Sequence, residues 1–299
     1  MKRFQIKKDN TIYHLMLLPG VIICLIFAYG PMCGLIMAFQ EYNPFKGFFG
    51  SRFVGLDNFR YLFHMPDFGT AFFNTLYIAA AKAVLFLVVP LLLALLINEA
   101  RSKRYVKTVQ TSIFLPYFLS WAILGGIILE IFSLDGIVNQ ILGFFGQDAV
   151  SFLGSNKYAR HIIIWTDVWK SMGYNMIVFL AAITNIDPSL YEAASIDGAG
   201  RLKQAIHITI PAMAPMIFLL TVLSLGNLLN AGFDQILMLY NPLTYETTDV
   251  LDTLVYRIGI YNQQYGIATA MGLFKSVISV TLVAVSNWIA YKFTDYRIF

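Results

Sequence analysis

Six stretches of the chain, roughly 12–39, 70–97, 108–132, 161–183, 208–230 and 267–291, are each long and apolar enough to cross a bilayer. A crossing takes about 20 mostly apolar residues in helical form, because hydrocarbon offers no partner to backbone N–H and C=O groups and a helix satisfies them internally. The pattern implies an all-α, polytopic membrane protein with six transmembrane helices, expected as one transmembrane domain over residues 1–299. Composition agrees: 58% of the residues are hydrophobic and 13% charged, too few charges to keep a soluble domain of this length in solution. Prolines within the runs (Pro19, Pro31, Pro90, Pro116, Pro215) are compatible with this, since neighbouring groups in a membrane bundle re-satisfy the carbonyls a proline frees. The first run, Thr11 to Phe39, is too long for a signal-peptide core and has no small-residue cleavage site behind it. Cys24 and Cys33 both lie in that run and form no disulfide framework.

Lysine and arginine in the flanks set the expected orientation. With the N-terminus in the cytoplasm, the inner segments hold Lys2, Arg3, Lys7, Lys8, then Arg101, Lys103, Arg104, Lys107, then Arg201 and Lys203, and finally Lys292 and Arg297. The outer segments hold Lys46, Arg52, Arg60, Lys157, Arg160 and Arg257, and the last of them is acidic, with Asp234, Glu246, Asp249 and Asp252. Both termini are therefore expected in the cytoplasm, and so is the loop 184–207 between the fourth and fifth spans.

That loop contains a charged, glycine-hinged segment, PSLYEAASIDGAGRLKQAIHITIP, residues 188–211. Asp187 suits an N-cap and Pro188 a first helical position, predicting a short helix from Pro188 to about Asp197. Gly198 and Gly200 permit a sharp turn, after which a second helical stretch re-enters the membrane and bends near Pro211 and Pro215. A helix floating in headgroups would carry a basic face and bulky apolar residues. The balanced charge and the small residues Ala193, Ala194 and Ala199 instead suit close approach by another protein.

Glu192-Ala193-Ala194, three residues, Gly198, nine residues, then Ile208-Thr209-Ile210-Pro211 resembles the EAA loop of bacterial ABC-importer permeases, departing from its I-x-L-P ending only in Ile210. Asn74-Thr75-Leu76, the run from Ala94 to Glu99, Leu115-Pro116 and Gly136-Ile137-Val138-Asn139 are similar to carbohydrate-importer permeases. Phe233 to Ile236, Tyr240-Asn241-Pro242, the run Val250 to Thr253 and Tyr265-Gly266 resemble the branch that imports oligosaccharides and polysaccharide fragments. In that family the loop is a coupling helix that sits in a groove of a cytoplasmic ATPase. The resemblance implies ATPase coupling by Glu192, Ala193, Ala194, Gly198 and Pro211. Glu192 would hold a basic group of the partner through a charge-assisted hydrogen bond, and Ala193 and Ala194 would let the backbone enter the groove. The implied partners are a second, homologous permease, an ATPase dimer that holds ATP and Mg²⁺, and an extracellular solute-binding protein. The implied place is the bacterial cell membrane among its lipids, with no role for nucleic acid.

No G-x-x-x-x-G-K-[ST] phosphate loop, H-E-x-x-H, C-x-x-C or G-x-S-x-G occurs, so no ATPase, metalloprotease or serine-hydrolase chemistry is expected in this chain. His14, His64, His161 and His207 lie far apart, and neither a metal nor another cofactor is expected. Polar side chains within spans usually face a cavity or a partner. Asp167, Lys170, Ser171, Tyr174 and Asn175 fall on one face of the fourth span; Ser224, Asn227 and Asn230 recur every three residues in the fifth. Both stripes suit a sugar pathway, and both equally suit interhelical hydrogen bonds. Asp167 and Lys170 are spaced to pair at i, i+3. Lys82 and Lys275 read as snorkelling lysines or contacts to a partner subunit. Tyr240, Tyr245, Tyr256, Tyr261 and Tyr265 suit either sugar stacking or an interfacial aromatic belt. The expected function is alternating-access import of a carbohydrate, an oligosaccharide, driven by a separate ATPase. The alternative is a secondary sugar transporter, which would call for inverted repeats and mid-membrane ion-binding carboxylates. A membrane-embedded enzyme would need paired catalytic residues, and none stand at usable spacing.

Overall fold

The computed structural model describes residues 8–100, 102–226 and 228–294. Its principal helices are α1 (Lys8–Cys24), α2 (Asp57–His64), α3 (Pro66–Asn98), α4 (Lys103–Phe114), α5 (Trp121–Ile131), α6 (Ile137–Phe144), α7 (Ala159–Thr184), α8 (Pro188–Ile196), α9 (Ile210–Gly226), α10 (Phe233–Leu239) and α11 (Tyr265–Thr294). Helix starts follow the side chains that cap them. Ser102 accepts the Tyr105 N–H at α4, and Ser120 accepts the Ile123 N–H at α5.

Four helical stretches are long and apolar enough to cross a membrane: Tyr13–Phe39, Pro66–Asn98, Arg201–Gly226 and Tyr265–Trp288. A fifth is a bent pair. The expected single run 108–132 is divided between Lys103–Phe118 and Trp121–Ile131, which meet at 105°. Pro116 sits in a 3-10 turn there and the Ser120 cap starts a new helix, so the chain does not continue straight. The expected fourth span is the 26-residue α7, about 39 Å long at 1.5 Å per residue, which reaches across a bilayer core but carries Arg160, Asp167 and Lys170. The fifth run is shorter than expected at its far end, because α9 stops at Gly226 rather than continuing to residue 230.

The chain divides into two compact units. One comprises Met1–Met65 and Val255–Phe274. Here α1 runs on through a π turn to a 3-10 stretch ending at Phe39, and a two-residue antiparallel pair follows, β1 (Gln40–Glu41) and β2 (Arg52–Phe53). The Asn58 amide ties this pair down, donating to the carbonyls of Ala38 (2.9 Å) and Gln40 (3.0 Å).

The other unit comprises Pro66–Leu254 and Lys275–Phe299, and is centred on α3 and α7. One apolar cluster joins Ile78 of α3, Leu124 and Ile128 of α5, Ile163 and Ile164 of α7, and Ile236 and Leu239 of α10. A second joins Ala94 and Ile97 of α3, Met176, Phe179 and Ile183 of α7, and Met213 of α9. Lipid tails are as apolar as leucine, so such clusters gain their stability from close packing, and polar pairs between helices add specificity. Both kinds of contact meet on α3.

Candidate functional site

The segment 188–211 forms the helix–turn–helix that its sequence predicts, while at the proline positions expected to bend the chain Arg201–Gly226 runs on as one helical stretch. Pro188 opens α8, and the Ser189 N–H donates to Asp187 Oδ1 (2.9 Å). Hydrogen bonds from the Ser189 amide and then its side chain hold the Asp187 carboxyl below its ordinary value, so the cap is present through neutral pH and is lost only as pH falls through that lowered value. The far end closes with Gly198 N–H on the Ser195 carbonyl (3.1 Å) and Ala199 N–H on the Ala194 carbonyl (2.8 Å). This is a Schellman turn, and Gly198 occupies its left-handed position at φ +78°. The Gln204 amide then bridges back to Ser195 Oγ (2.9 Å) and the Ala199 carbonyl (3.0 Å). Two further bonds fix the assembly to the bundle: Tyr191 OH to Thr209 Oγ1 (3.0 Å), and Arg201 to the Glu99 carboxylate beside the end of α3 (3.2 Å). A π turn, Ala205–Thr209, precedes Pro211 and gives the proline room without a break in the helix. Glu192 and Ala193 stay exposed, Ala194 is half-buried, and Ile196 is 87% exposed. Glu192 has no ion-pair or hydrogen-bond partner among the described residues. The result is a short rigid helix with a free carboxylate and a small, partly apolar face.

The paired lysines are a correction to the sequence reading. Lys82, at the midpoint of α3, is neither snorkelling nor exposed. Its ammonium is buried and meets Asp167 Oδ2 (2.6 Å), Gln235 Oε1 (2.6 Å) and the Ala231 carbonyl (2.7 Å). All three ammonium protons thus have acceptors. The Gln235 amide in turn donates to the Ile163 carbonyl (2.6 Å) and Thr166 Oγ1 (2.8 Å). Asp167 is therefore paired with Lys82 and not with Lys170. Lys275 is likewise paired, with Asp252. Gly232, at φ +92°, lies over the cluster, and a Cβ there would stand 3.1 Å from Lys82 Nζ. Three segments distant in sequence, α3, α7 and 231–235, meet at one neutralised charge.

A second polar tie lies further along α3 toward Pro66. Asn74 donates to the carbonyls of Glu246 (3.0 Å) and Asp249 (3.1 Å) and accepts from Arg160 (2.6 Å), while Arg160 also donates to the Thr247 carbonyl (2.9 Å). Thr75 Oγ1 accepts the Leu251 N–H (2.9 Å). Asn139 similarly closes its own loop, bonding Ser133 and both backbone groups of Val150. Several motif residues quoted above are thus loop fasteners. Of the five tyrosines singled out between residues 240 and 265, Tyr240 stacks on Tyr245 with ring centroids 4.9 Å apart.

The candidate pathway residues are partly brought together. Asn175 of α7 and Ser224 of α9 line a common cavity of about 110 Å³ with Ala83, Phe86, Phe179 and Leu220. That is smaller than the roughly 300 Å³ at which ligand pockets begin, so the cavity is a mostly apolar seam with two polar side chains on it, and not a complete sugar site. Ser224 bonds its own helix at the Thr221 carbonyl (2.7 Å), and Asn175 has no hydrogen-bond partner among the described residues. Asn230 lies beyond the end of α9, in a turn where its Oδ1 accepts the Gly232 N–H (3.4 Å). The three-residue stripe on one continuous helix is therefore not formed, and Asn227 lies outside the described residues. Tyr174 stacks on Tyr117 (centroids 4.7 Å apart), and Lys170 Nζ donates to the Tyr117 carbonyl (2.9 Å). Among the described residues Asn175, Ser224 and Asn230 make no interhelical hydrogen bond, whereas Asp167 and Lys170 of the fourth-span stripe do bond across the bundle, to Lys82 and to the Tyr117 carbonyl. Sequence reasoning missed Tyr117, Trp121, Gln235 and Arg160; for Gln235 the available signal was an amide beside Asp234 in the first turn of a helix that is apolar from there on. Among the described residues no group of three or more His, Cys, Asp or Glu side chains is placed to hold a metal.

Comparison with known proteins gives a consistent result. A family model described as "Binding-protein-dependent transport system inner membrane component" matches residues 87–295. The polygalacturonan/rhamnogalacturonan transport system permease protein YteP of Bacillus subtilis is 41% identical over 300 residues, covering 100% of this chain and 94% of its own. The crystal structure of a bacterial ABC transporter involved in the import of the acidic polysaccharide alginate contains a chain with TM-score 0.89 and 41% identity, covering 96% of this chain and 97% of that one. A second structure shows the bacterial alginate ABC transporter with alginate pentasaccharide-bound periplasmic protein, again at TM-score 0.89, with 40% identity and coverage of 97% and 98%.

Proposed function

We propose that this chain, which belongs to the family of binding-protein-dependent transport system inner membrane components, is the membrane subunit of an ATP-binding-cassette importer for a carbohydrate, an oligosaccharide. Its work is alternating access, with no covalent chemistry of its own. ATP and Mg²⁺ belong to a separate ATPase pair, a second homologous permease completes the pathway, and an external solute-binding protein delivers the sugar. The similarity to an alginate transporter solved with its loaded periplasmic protein supports the last of these. The observation that carries the reading is α8: a capped, cross-tied helix whose Glu192 has no partner within the described chain. A free carboxylate on a rigid helix with small neighbours fits a groove lined by a basic residue.

The proposed substrate path runs beside Lys170, Tyr174, Asn175, Ser224, Asn227 and Asn230. In the reading, α7 is the fourth of six spans, both termini and α8 are cytoplasmic, and the loop 241–250 is external. The tagged chain, solubilised from its own cells, should bring down a nucleotide-hydrolysing subunit. Ser224→Leu should retain that subunit and lower sugar uptake several-fold, because the added side chain fills the seam shared with Asn175. A chain that purifies without any ATPase would sink the assignment.

Orientation has its own test. In a background with Cys24 and Cys33 replaced, Leu243→Cys should label with a membrane-impermeant maleimide on intact cells and Ile196→Cys should not. Both positions are exposed, at 73% and 87%. Labelling at position 196 from outside would reverse the topology and remove the ATPase from reach of α8.

A further inference from the structure

Three lysines lie well inside long helices of the second unit: Lys82, Lys170 and Lys275. Two of them have carboxylate partners, Asp167 and Asp252 respectively. Lys170 has none among the described residues. It lies near the middle of α7, and Asp167, one turn away, is already engaged by Lys82. The Lys170 ammonium donates one hydrogen bond, to the Tyr117 carbonyl (2.9 Å), and stands 5.3 Å from the Tyr117 ring centroid and 5.6 Å from that of Trp121. Ring faces attract a cation but accept no strong hydrogen bond, so two of its three protons are left for a ligand.

The surroundings are equally specific. Tyr117 and Tyr174 are stacked within 10° of parallel and remain 38% and 47% exposed. Asn175, next to Tyr174, presents an amide that bonds nothing among the described residues. Together these offer a charge, an aromatic surface and an amide on one side of the bundle. An uncompensated ammonium at this depth is unfavourable unless an anion or a cavity meets it.

We propose that Lys170, Tyr117, Trp121 and Tyr174 form a charge-reading subsite for an anionic sugar unit, in which the ammonium receives the carboxylate and the tyrosine or tryptophan rings lie against the sugar face. This rests on the reading of the chain as a carbohydrate permease and names the substrate class, an acidic oligosaccharide. A single ammonium suits a singly charged carboxylate, whereas a doubly charged phosphate is more often met by the planar fork of arginine. The mid-helix depth places the site away from lipid headgroups. The chemistry agrees with the acidic polysaccharide carried by the similar alginate importer.

The competing role for Lys170 is mechanical: it could simply hold the Tyr117 carbonyl beside the break in the third span. The two roles separate in the assembled transporter, reconstituted with its ATPase and binding protein. The probes are a trigalacturonate and the same trisaccharide with its carboxylates reduced to alcohols. Uptake by the wild type should favour the acid. Lys170→Gln should lower acid uptake about tenfold or more, the value of losing a hydrogen bond to a charged group, and leave uptake of the neutral probe nearly unchanged. Lys170→Arg should keep most of the acid preference. The binding protein is common to all three, so a change in the ratio reports on the permease. An unchanged ratio in Lys170→Gln, or an equal fall for both probes, would overturn the proposal in favour of the mechanical role. Wild-type uptake of the neutral probe alone would also overturn it while leaving the carbohydrate reading intact. Uptake of neither probe would remove the carbohydrate reading itself, and this proposal with it.

Discussion

Lys82→Met should leave little properly folded chain in the membrane. The substitution removes the cation from a buried cluster and strands the Asp167 carboxylate, Gln235 Oε1 and the Ala231 carbonyl, which now meet at one ammonium. Removing one partner of such a pair costs about 3–5 kcal/mol, a large share of the roughly 5–15 kcal/mol by which folded domains are stable. The side chains are 3% and 14% exposed, so water cannot take over the lost contacts. The fraction recovered as a monodisperse peak in detergent, and the midpoint of its thermal unfolding, should both fall sharply. Lys82→Met combined with Asp167→Leu should recover most of the loss, because a matched apolar pair leaves no buried charge. Gln235 keeps its bonds to Ile163 and Thr166 in that double variant. If the double variant is as unstable as the sum of the two single ones, the pair is not coupled and the cluster does not hold these segments together.

Gly198→Val should abolish transport without removing the protein from the membrane. The space around Gly198 is open, so sterics with neighbours are not the obstacle. The obstacle is φ +78°, a conformation that costs an ordinary L-residue about 1–2 kcal/mol, and a β-branched residue is worse placed still. The Schellman turn would open, and with it the bonds from Ala199 to Ala194 and from Gln204 to Ala199. Helix α8 would then present its face at another angle. Gly198→Asn, which tolerates the left-handed region, should retain much of the uptake. Glu192→Ala tests the same interface from the contact side: loss of a hydrogen bond to a charged group, about 1.5–3 kcal/mol, should weaken ATPase docking some ten- to hundred-fold. Uptake and ATPase co-purification at wild-type levels in both Gly198→Val and Glu192→Ala would end the coupling assignment.

What could be read from the sequence was what is local. Asp187, Pro188, Gly198 and Gly200 act on their own backbone within a few residues, and the helix–turn–helix of 188–211 forms where those residues place it. Apolar run length located the long helices for the same reason. The Lys82 cluster was not legible because its members stand 149 and 153 positions from Lys82 in Ala231 and Gln235, and one sequence carries no record of such pairings. The i, i+3 spacing of Asp167 and Lys170 pointed to a local pair, but the aspartate is turned toward α3 and the lysine toward the break after Phe118. The continuous stripe Ser224–Asn227–Asn230 assumed an unbroken helix. Gly226 and Gly232 were the available warning, and α9 ends at the first of them. Pro116 was read as tolerated within a straight span, when together with Ser120 it marks a corner.

The placement of the ion pair has a mechanical consequence. Just past the far end of α9 the chain is anchored at Ala231 and Gln235 to α3 and α7, while the near end is joined through Thr209 to Tyr191 of α8. Toward the near end Met213 packs on α3 and α7 through an apolar cluster, a contact that slides more readily than an ion pair, so a push there would turn α9 about its polar anchor. Over the 17 residues of α9, about 25 Å, a tilt of about 10° displaces the near end by about 4 Å. Ser224, close to the pivot, moves little. In the proposed orientation, lever geometry of this kind would let the cytoplasmic side open and shut while the polar residues near the ion pair keep their positions, gating one end of the proposed passage without dismantling the surface along which a sugar would travel.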